Sequence, residues 1–371
     1  MRKPGKFLLG RSASEAPMVQ IRRMQVGSCY TGALPEGCLQ CRKGAKMVLL
    51  VTGRCRMTCY YCPLSEKKKG KDLVFANERQ VFSDSDVLDE ARSIAAEGTG
   101  ITGGDPLDVM ERTLHYIQLL KREFGPDHHV HLYTSTIDGK KFQALVKAGL
   151  DELRIHPQVE TWCGLDAEGI KEAVEGLGIP VGFEVPAIPG EEKGLTCLID
   201  FADRTGFDFV NLNELEFSAT NAEALKDRGF TVVDDVSSAV KGSASMSKKL
   251  LKQERRLAVH FCTSSFKDAV QLRNRIKRRA RRVARKSDLV TGEGLLIKGI
   301  IVGVDPIETA ERLRTEFGVP PALMNPDLAR GRLEVAPWIL EEIYPELDLE
   351  CYIVEVYPTA DQLEVERRPL R

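Results

Sequence analysis

The chain has 371 residues, 43% of them hydrophobic and 29% charged, with a net charge of −1. That balance excludes disorder over most of the length, and ten cysteines are too few for a disulfide scaffold. No run approaches the ~20 apolar residues of a membrane span. The basic start, MRKPGKFLLG, offers only a short apolar stretch where a secretory signal needs ~7–15 residues. We therefore expect a cytoplasmic protein with no membrane partner. Asn and Gln are scarce beside the charged residues, a composition consistent with a thermophilic source.

In chain order, Lys46–Thr52 (KMVLLVT) reads as a buried strand. Asp84–Glu97 has helical period, with Asp84 or Ser85 as N-cap. Thr99–Thr102 is a strand running into Gly103-Gly104. Leu107–Phe124 is an amphipathic helix, Val130–Thr136 a strand, Lys140–Ala148 a helix and Asp151–His156 a strand. Ala167–Leu177, Val181–Ile188, Leu195–Arg204 and Phe209–Phe217 continue the alternation of helix and strand. Six strands alternating with helices predict a parallel sheet covered by helices, an open (β/α)6 barrel, with the chemistry at the C-terminal strand ends.

After residue 220 the pattern changes. Residues 221–245 look loop-rich, Leu257–Cys262 could form a strand, and Phe266–Arg285 reads as a long basic helix. Residues 295–302 and 351–357 read as strands, 306–317 as a helix, and Pro320, Pro321 and Pro326 as marks of a loop. The expected organisation is a cysteine-containing extension (1–44), a barrel (45–220), a basic helical segment (221–290) and a small α/β module (291–371).

Six of the ten cysteines lie between Cys29 and Cys62. In a reducing compartment such a cluster points to metal rather than disulfides. Cys55, Cys59 and Cys62 place three thiolates in one short loop directly after the first strand. Three ligands leave one iron of a cubane cluster without protein sulfur and open to another molecule. A structural zinc site, which takes four ligands, is the rival reading. Upstream, Cys29, Cys38 and Cys41, with the distant Cys262, suggest a second metal centre, iron–sulfur or zinc. Cys163, Cys197 and Cys351 are expected in the core.

The C-x3-C-x2-C spacing, placed after the first barrel strand, resembles the radical S-adenosylmethionine (SAM) superfamily. The resemblance implies a [4Fe–4S] cluster whose open iron binds SAM, which one electron splits into methionine and a 5′-deoxyadenosyl radical. It also implies an electron donor of the ferredoxin or flavodoxin type. Carried onto this chain, Tyr61 would pack near adenine. The turn Gly103-Gly104-Asp105-Pro106, with Asp where the family often has Glu, would receive the SAM amino group. Ser135, Arg154 and His156 would hold ribose and carboxylate, and Ile188 and Gly190 would form a turn against adenine. The upstream cysteines look like those of two-cluster wyosine-forming enzymes, with a different spacing. The whole chain resembles uncharacterised archaeal radical SAM proteins related to pyruvate formate-lyase activating enzymes.

Residues 241–286 carry sixteen Lys or Arg against two acids. A basic block on an otherwise acidic chain is a footprint for a polyanion, so Lys267–Lys286 is a candidate RNA-binding helix, with a solvated face, a charge-balancing role or a subunit contact as its rivals. Asn211, Asn213, Glu214 and Glu216 alternate along the sixth strand, the two Asn facing one side. The sequence therefore ranks a radical enzyme acting on an RNA or tRNA base first. An activating enzyme for a protein substrate comes second, and a non-catalytic iron–sulfur nucleic-acid-binding protein third.

Overall fold

The computed structural model describes residues 20–370; the basic N-terminal stretch weighed above lies outside them. Six strands occupy the expected places: β1 (Lys46–Leu50), β2 (Gly98–Thr102), β3 (His129–Thr134), β4 (Glu152–Ile155), β5 (Val181–Ala187) and β6 (Phe209–Glu214). A seventh, β7 (Ala258–Cys262), joins the same sheet. All seven run parallel in sequence order.

The sheet does not close. Beyond β7 lie the antiparallel strands Cys29–Tyr30 and Arg22–Arg23; beyond β1 lies the hairpin of Phe75–Ala76 and Arg79–Gln80. These short segments pair the backbone groups of β1 and β7 that an open edge would expose.

Alternation along each strand sorts the side chains. Met47, Leu49, Leu132, Leu153, Ile155, Phe183, Val185, Val210, Leu212 and Phe261 face outward, where the helices bury them in one core. Lys46, Val48, Tyr133, Arg154, Glu184, Asn211, Asn213, His260 and Cys262 take the inner face. Val48 is 39% exposed although it lies mid-strand, so the upper barrel interior is an open chamber. The helix Glu36–Lys43 fills the other end. There Gly37 lies so close to the inner residues that a Cβ would stand 2.7 Å from both Arg154 and His131.

Helix boundaries differ from expectation in small ways. Asp84–Ser93 starts from a capping box on Ser83, one residue before Asp84 and two before Ser85, the expected caps. The loop-rich stretch contains the helix Ala222–Asp227 and the start of a second, Ser243–Leu250. The basic helix is Arg273–Val283, preceded by a π-helical turn, Lys267–Leu272.

Residues 289–369 form a separate antiparallel sheet centred on Leu296–Val302. Helices Pro306–Glu316 and Pro337–Ile343 pack their apolar sides against it. Pro326, read above as a loop marker, sits in the edge strand Met324–Asp327, a place where a missing N–H is tolerated. Lys298, Glu334 and Arg332 are buried together there, with Lys298 Nζ 3.0 Å from both Glu334 oxygens.

Buried histidines make the barrel acid-sensitive. Burial pushes His128 and His260 down to about 4, against ~6.5 in an unfolded chain. The unfolded chain therefore binds protons first, so stability is full above about pH 6.5 and falls as the pH drops toward 4. Between pH 7 and pH 5 each histidine is expected to cost about 2 kcal/mol. Denaturant unfolding at the two pH values checks this, and pH-independent stability over that window would contradict it.

Candidate functional site

The cysteine loop leaves the C-terminal end of β1. Its ends are fixed by backbone contacts with the turn after β2: Gly104 N–H donates to Thr52 O (2.8 Å) and Asp105 N–H to Arg54 O (2.9 Å). The two segments are so close that a Cβ on Gly104 would stand 1.9 Å from Arg54 O and 2.8 Å from Cys55 Cβ. Any side chain at this position would displace the cysteine loop, which is the physical need for glycine here. On the other side, Asn221 Nδ2 donates to Tyr61 O (3.1 Å) and Thr220 Oγ1 to Cys62 O (3.3 Å). The turn after β6 thus braces the loop from across the barrel mouth, a support that the sequence did not announce.

Cys55, Cys59 and Cys62 are free thiols; Cys55 is exposed and the other two are half-buried. Among the described residues, no three His, Cys, Asp or Glu side chains are gathered tightly enough to hold a metal ion. The donor chemistry nevertheless fits an iron–sulfur cluster. Three thiols share one short loop at the mouth of an open chamber, and the side-chain-free Gly103-Gly104 turn abuts the loop.

The Asp105 carboxylate is buried and faces the protein. Oδ1 accepts from Leu107 N (3.0 Å) and Thr134 Oγ1 (2.7 Å). Oδ2 accepts from Ser135 N (3.1 Å), Thr136 N (3.0 Å) and Thr136 Oγ1 (2.9 Å). It caps the turn at Pro106 and clamps the turn after β2 to the turn after β3, Ser135 included. Of the Gly103–Pro106 motif, the backbone remains to meet a ligand.

Tyr61 and His156 form a second fixed pair. Glu184 O can only accept, so His156 donates to it from Nδ1 (2.7 Å), and Nε2 accepts from the Tyr61 hydroxyl (3.0 Å). Burial lowers the His156 pKa, in keeping with this neutral tautomer. Ile188 is buried just beyond β5. Gly190 has φ +96°, a left-handed conformation that suits glycine. Tyr60, Ile188, Pro189, Glu191 and Arg228 line a groove of about 590 Å³ beside these residues.

Arg154 lies deeper on β4. Its guanidinium is bound by Glu152 (Nε, 2.6 Å) and Glu184 (Nη1, 2.8 Å), and Nη2 reaches Cys38 Sγ at 3.5 Å. Both Asn211 and Asn213 donate to Glu184 at 2.7 Å. Burial alone would raise the Glu184 pKa; Arg154 and the two amides outweigh it and leave it lowered. Arg154 is therefore committed to the chamber floor, below the level of His156. Asn211 and Asn213 share one face as expected, while Glu214 accepts from Ser264 and Glu216 pairs with Lys267.

The upstream cysteines divide. Cys29 is paired with Phe261 and packs with it in the core outside the sheet. Cys38 points into the interior and accepts from Asn211 (3.4 Å) and Arg154. Cys262 is buried and accepts from Gln271 (3.6 Å). The structure thus does not bring Cys29 to Cys38, Cys41 and Cys262, because strand alternation sends it to the opposite face. Cys163 and Cys197, expected in the core, form a disulfide, with Cys163 at the surface lining the groove beside Ile188. Cys351 is buried as expected.

The basic helix spends much of its charge inside the molecule. Arg275 pairs with Glu78. Arg278 caps Ile94 O and Ala95 O, the carbonyls at the end of helix Asp84–Ser93. Arg279 binds Glu90 and Pro358 O, and Arg285 binds Glu334 at 2.7 Å. These contacts dock the C-terminal sheet onto the barrel, which is the charge-balancing role. Helical spacing puts Lys277, Arg278, Arg281, Arg282 and Arg285 on one wide face expected to meet a polyanion; of these, Arg278 and Arg285 are occupied.

Comparison with known proteins agrees with the geometry. The radical SAM superfamily profile matches residues 49–161, and a domain of unknown function, DUF8061, matches residues 294–370. A protein of the archaeon Methanocaldococcus jannaschii, provisionally named a glycyl-radical enzyme activating enzyme, is 40% identical over 355 residues, covering 91% of this chain and 93% of the relative. Among solved structures, Streptococcus suis SuiB bound to S-adenosylmethionine aligns over 59% of this chain and 50% of its own, with 10% identity and a TM-score of 0.40. Methylornithine synthase aligns over 57% and 65%, with 11% identity and a TM-score of 0.38. With a relative this similar along nearly its whole length and three thiols at the mouth of an open parallel barrel, the chain belongs to the radical SAM superfamily, enzymes that use a [4Fe–4S] cluster and S-adenosylmethionine.

Proposed function

We propose that this enzyme acts on a protein chain, removing a hydrogen atom from a glycine Cα as an activating enzyme does. The observation that carries this reading is the relative matched along 93% of its length and named for that activity. When bound, the cluster and SAM supply the 5′-deoxyadenosyl radical that takes the hydrogen. Cys55, Cys59 and Cys62 would hold the cluster. The Gly103-Gly104 backbone, Ser135, His156 with Tyr61, and the Ile188–Gly190 turn would orient SAM above the chamber. Thr134 and Thr136, bound to Asp105, would keep that rim in place. The chamber, floored by Arg154, Glu184 and Asn213, would admit a peptide segment from the open end.

An RNA substrate draws its support from the basic helix. Lys267, Arg273, Arg275, Arg278, Arg279 and Arg285 make intramolecular contacts, which leaves Lys277, Arg281, Arg282 and Lys286 for that role. This smaller residue of charge favours a protein substrate over RNA.

The test is isotope transfer. Reconstituted enzyme, SAM and dithionite are incubated with peptides carrying α,α-dideuterated glycine, and 5′-deoxyadenosine is analysed by mass spectrometry. Deuterium in the 5′-deoxyadenosine is the expected result. An undeuterated product whose formation instead depends on added tRNA would overturn the reading.

A further inference from the structure

Between residues 54 and 71 the chain carries six basic residues and one acid. They flank the three cysteines, and the fold fixes them there. The turn Ser65–Lys71 folds on itself: Lys68 N and Lys69 N both donate to Ser65 O, and Lys71 N donates to Lys68 O. It is bound to the strand leading into the cysteine loop by a reciprocal pair, Gly53 N to Lys71 O and Gly70 N to Gly53 O, each 2.8 Å. A Cβ on Gly53 would stand 1.7 Å from Lys68 O. Asp72 completes the anchor, accepting from Thr52 (3.0 Å) and from both Arg112 amino groups. The turn is thus part of the frame of the cysteine loop.

Of the four lysines on the turn, Lys68 lies half-buried over the Phe75 ring, and the charges of the other three are unspent. Arg54 and Arg56 pair with Asp72 and Asp108. Lys67, Lys69 and Lys71 are exposed, and among the described residues none of the three has an ion-pair partner. Three unpaired ammonium groups against the single carboxylate of Glu66 give the turn a local positive field beside the cysteine loop, in a chain whose net charge is only −1.

We propose that the turn Ser65–Lys71 is the docking surface for the one-electron donor, a small acidic redox protein. Each turnover requires one electron to pass from the donor's reduced centre to this protein's cluster, with no bond made or broken between the two proteins. A donor seated on Lys67, Lys69 and Lys71 lies beside Cys55, which is exposed on the same rim. The patch is small, as suits the brief, weakly buried contacts of electron-transfer partners. It is also built from lysines, hydrated point charges that steer an encounter, rather than from the forked arginines that grip phosphates.

The test uses the triple variant Lys67→Glu, Lys69→Glu, Lys71→Glu, with Lys→Gln at the same three positions as a milder version. The probe is an acidic ferredoxin. Its affinity is measured by calorimetry at low and high salt, and it is also used, reduced, to drive 5′-deoxyadenosine formation. At low ionic strength the Glu variant should bind ferredoxin about tenfold or more weakly, and the Gln variant should lie between. The salt dependence of binding should flatten in both. Ferredoxin-driven turnover at sub-saturating ferredoxin should fall in step, while dithionite-driven turnover should stay at the wild-type rate. Unchanged ferredoxin affinity, or equal loss with both reductants, would overturn the proposal. So would a loss of tRNA affinity with ferredoxin binding intact, which would make the turn a nucleic-acid contact. Because peptide isotope transfer is read with dithionite, the substrate assignment stands or falls separately.

Discussion

Replacing Cys55, Cys59 or Cys62 singly by alanine is expected to abolish reductive SAM cleavage in reconstituted protein, with a loss of at least about a thousandfold in 5′-deoxyadenosine formation. Each thiol is one of three, and an iron that loses its thiolate is left open to solvent, so the cluster is lost or altered rather than weakened. The fold should survive, because Cys55 is exposed and Cys59 and Cys62 are half-buried, contributing little to the core. Iron content, far-UV circular dichroism and product analysis on the three variants check this. Full SAM cleavage in any one of them would show that its thiol is no ligand.

The Asp105→Ala variant is expected to lose about 4 kcal/mol of stability, an unusually large effect for a polar loop residue. The carboxylate accepts five hydrogen bonds, three from backbone N–H groups and two from threonine hydroxyls. Its removal strands buried donors, each costing about 1–3 kcal/mol, although the sum is less than additive because the turns relax. Loss of an N-cap alone would cost only about 1 kcal/mol. Asp105→Asn keeps one acceptor oxygen and should fall between. SAM affinity should drop in both variants, since the clamp positions Gly103-Gly104 and Ser135 together. Equilibrium denaturation, with SAM binding on the folded fraction, measures the two effects. A stability loss near 1 kcal/mol would mean that Asp105 only caps the Pro106 turn.

What the sequence revealed followed from local chemistry. The strands of the barrel are short apolar runs separated by helices of clear period, so β1 to β6 were readable. The three-thiol loop and the Gly-Gly-Asp-Pro turn are contiguous motifs, and their juxtaposition follows from parallel strand order. Long-range facts were hidden. Asp105 reads as a motif residue that meets the cofactor, yet its acceptors are filled from a turn 30 residues away. Arg154 lies two residues before His156 and on the same face, but two carboxylates from β4 and β5 claim it below the rim. Cys29 shares a sequence cluster with Cys38 and Cys41, and strand alternation separates them. The basic helix looks like a polyanion surface because the sequence cannot show that Glu78, Glu90 and Glu334 come to meet it. The lysine turn carries no signal in sequence, because its lysines gain meaning only from the contacts of Gly53 that bind the turn beside Cys55.

The most direct measurement is product analysis of the wild-type protein carrying its full iron complement, incubated anaerobically with SAM and dithionite. 5′-Deoxyadenosine and methionine should appear in equal amounts, and only when reductant and cluster are both present. Intact SAM after incubation with the cluster-loaded, reduced protein would contradict it.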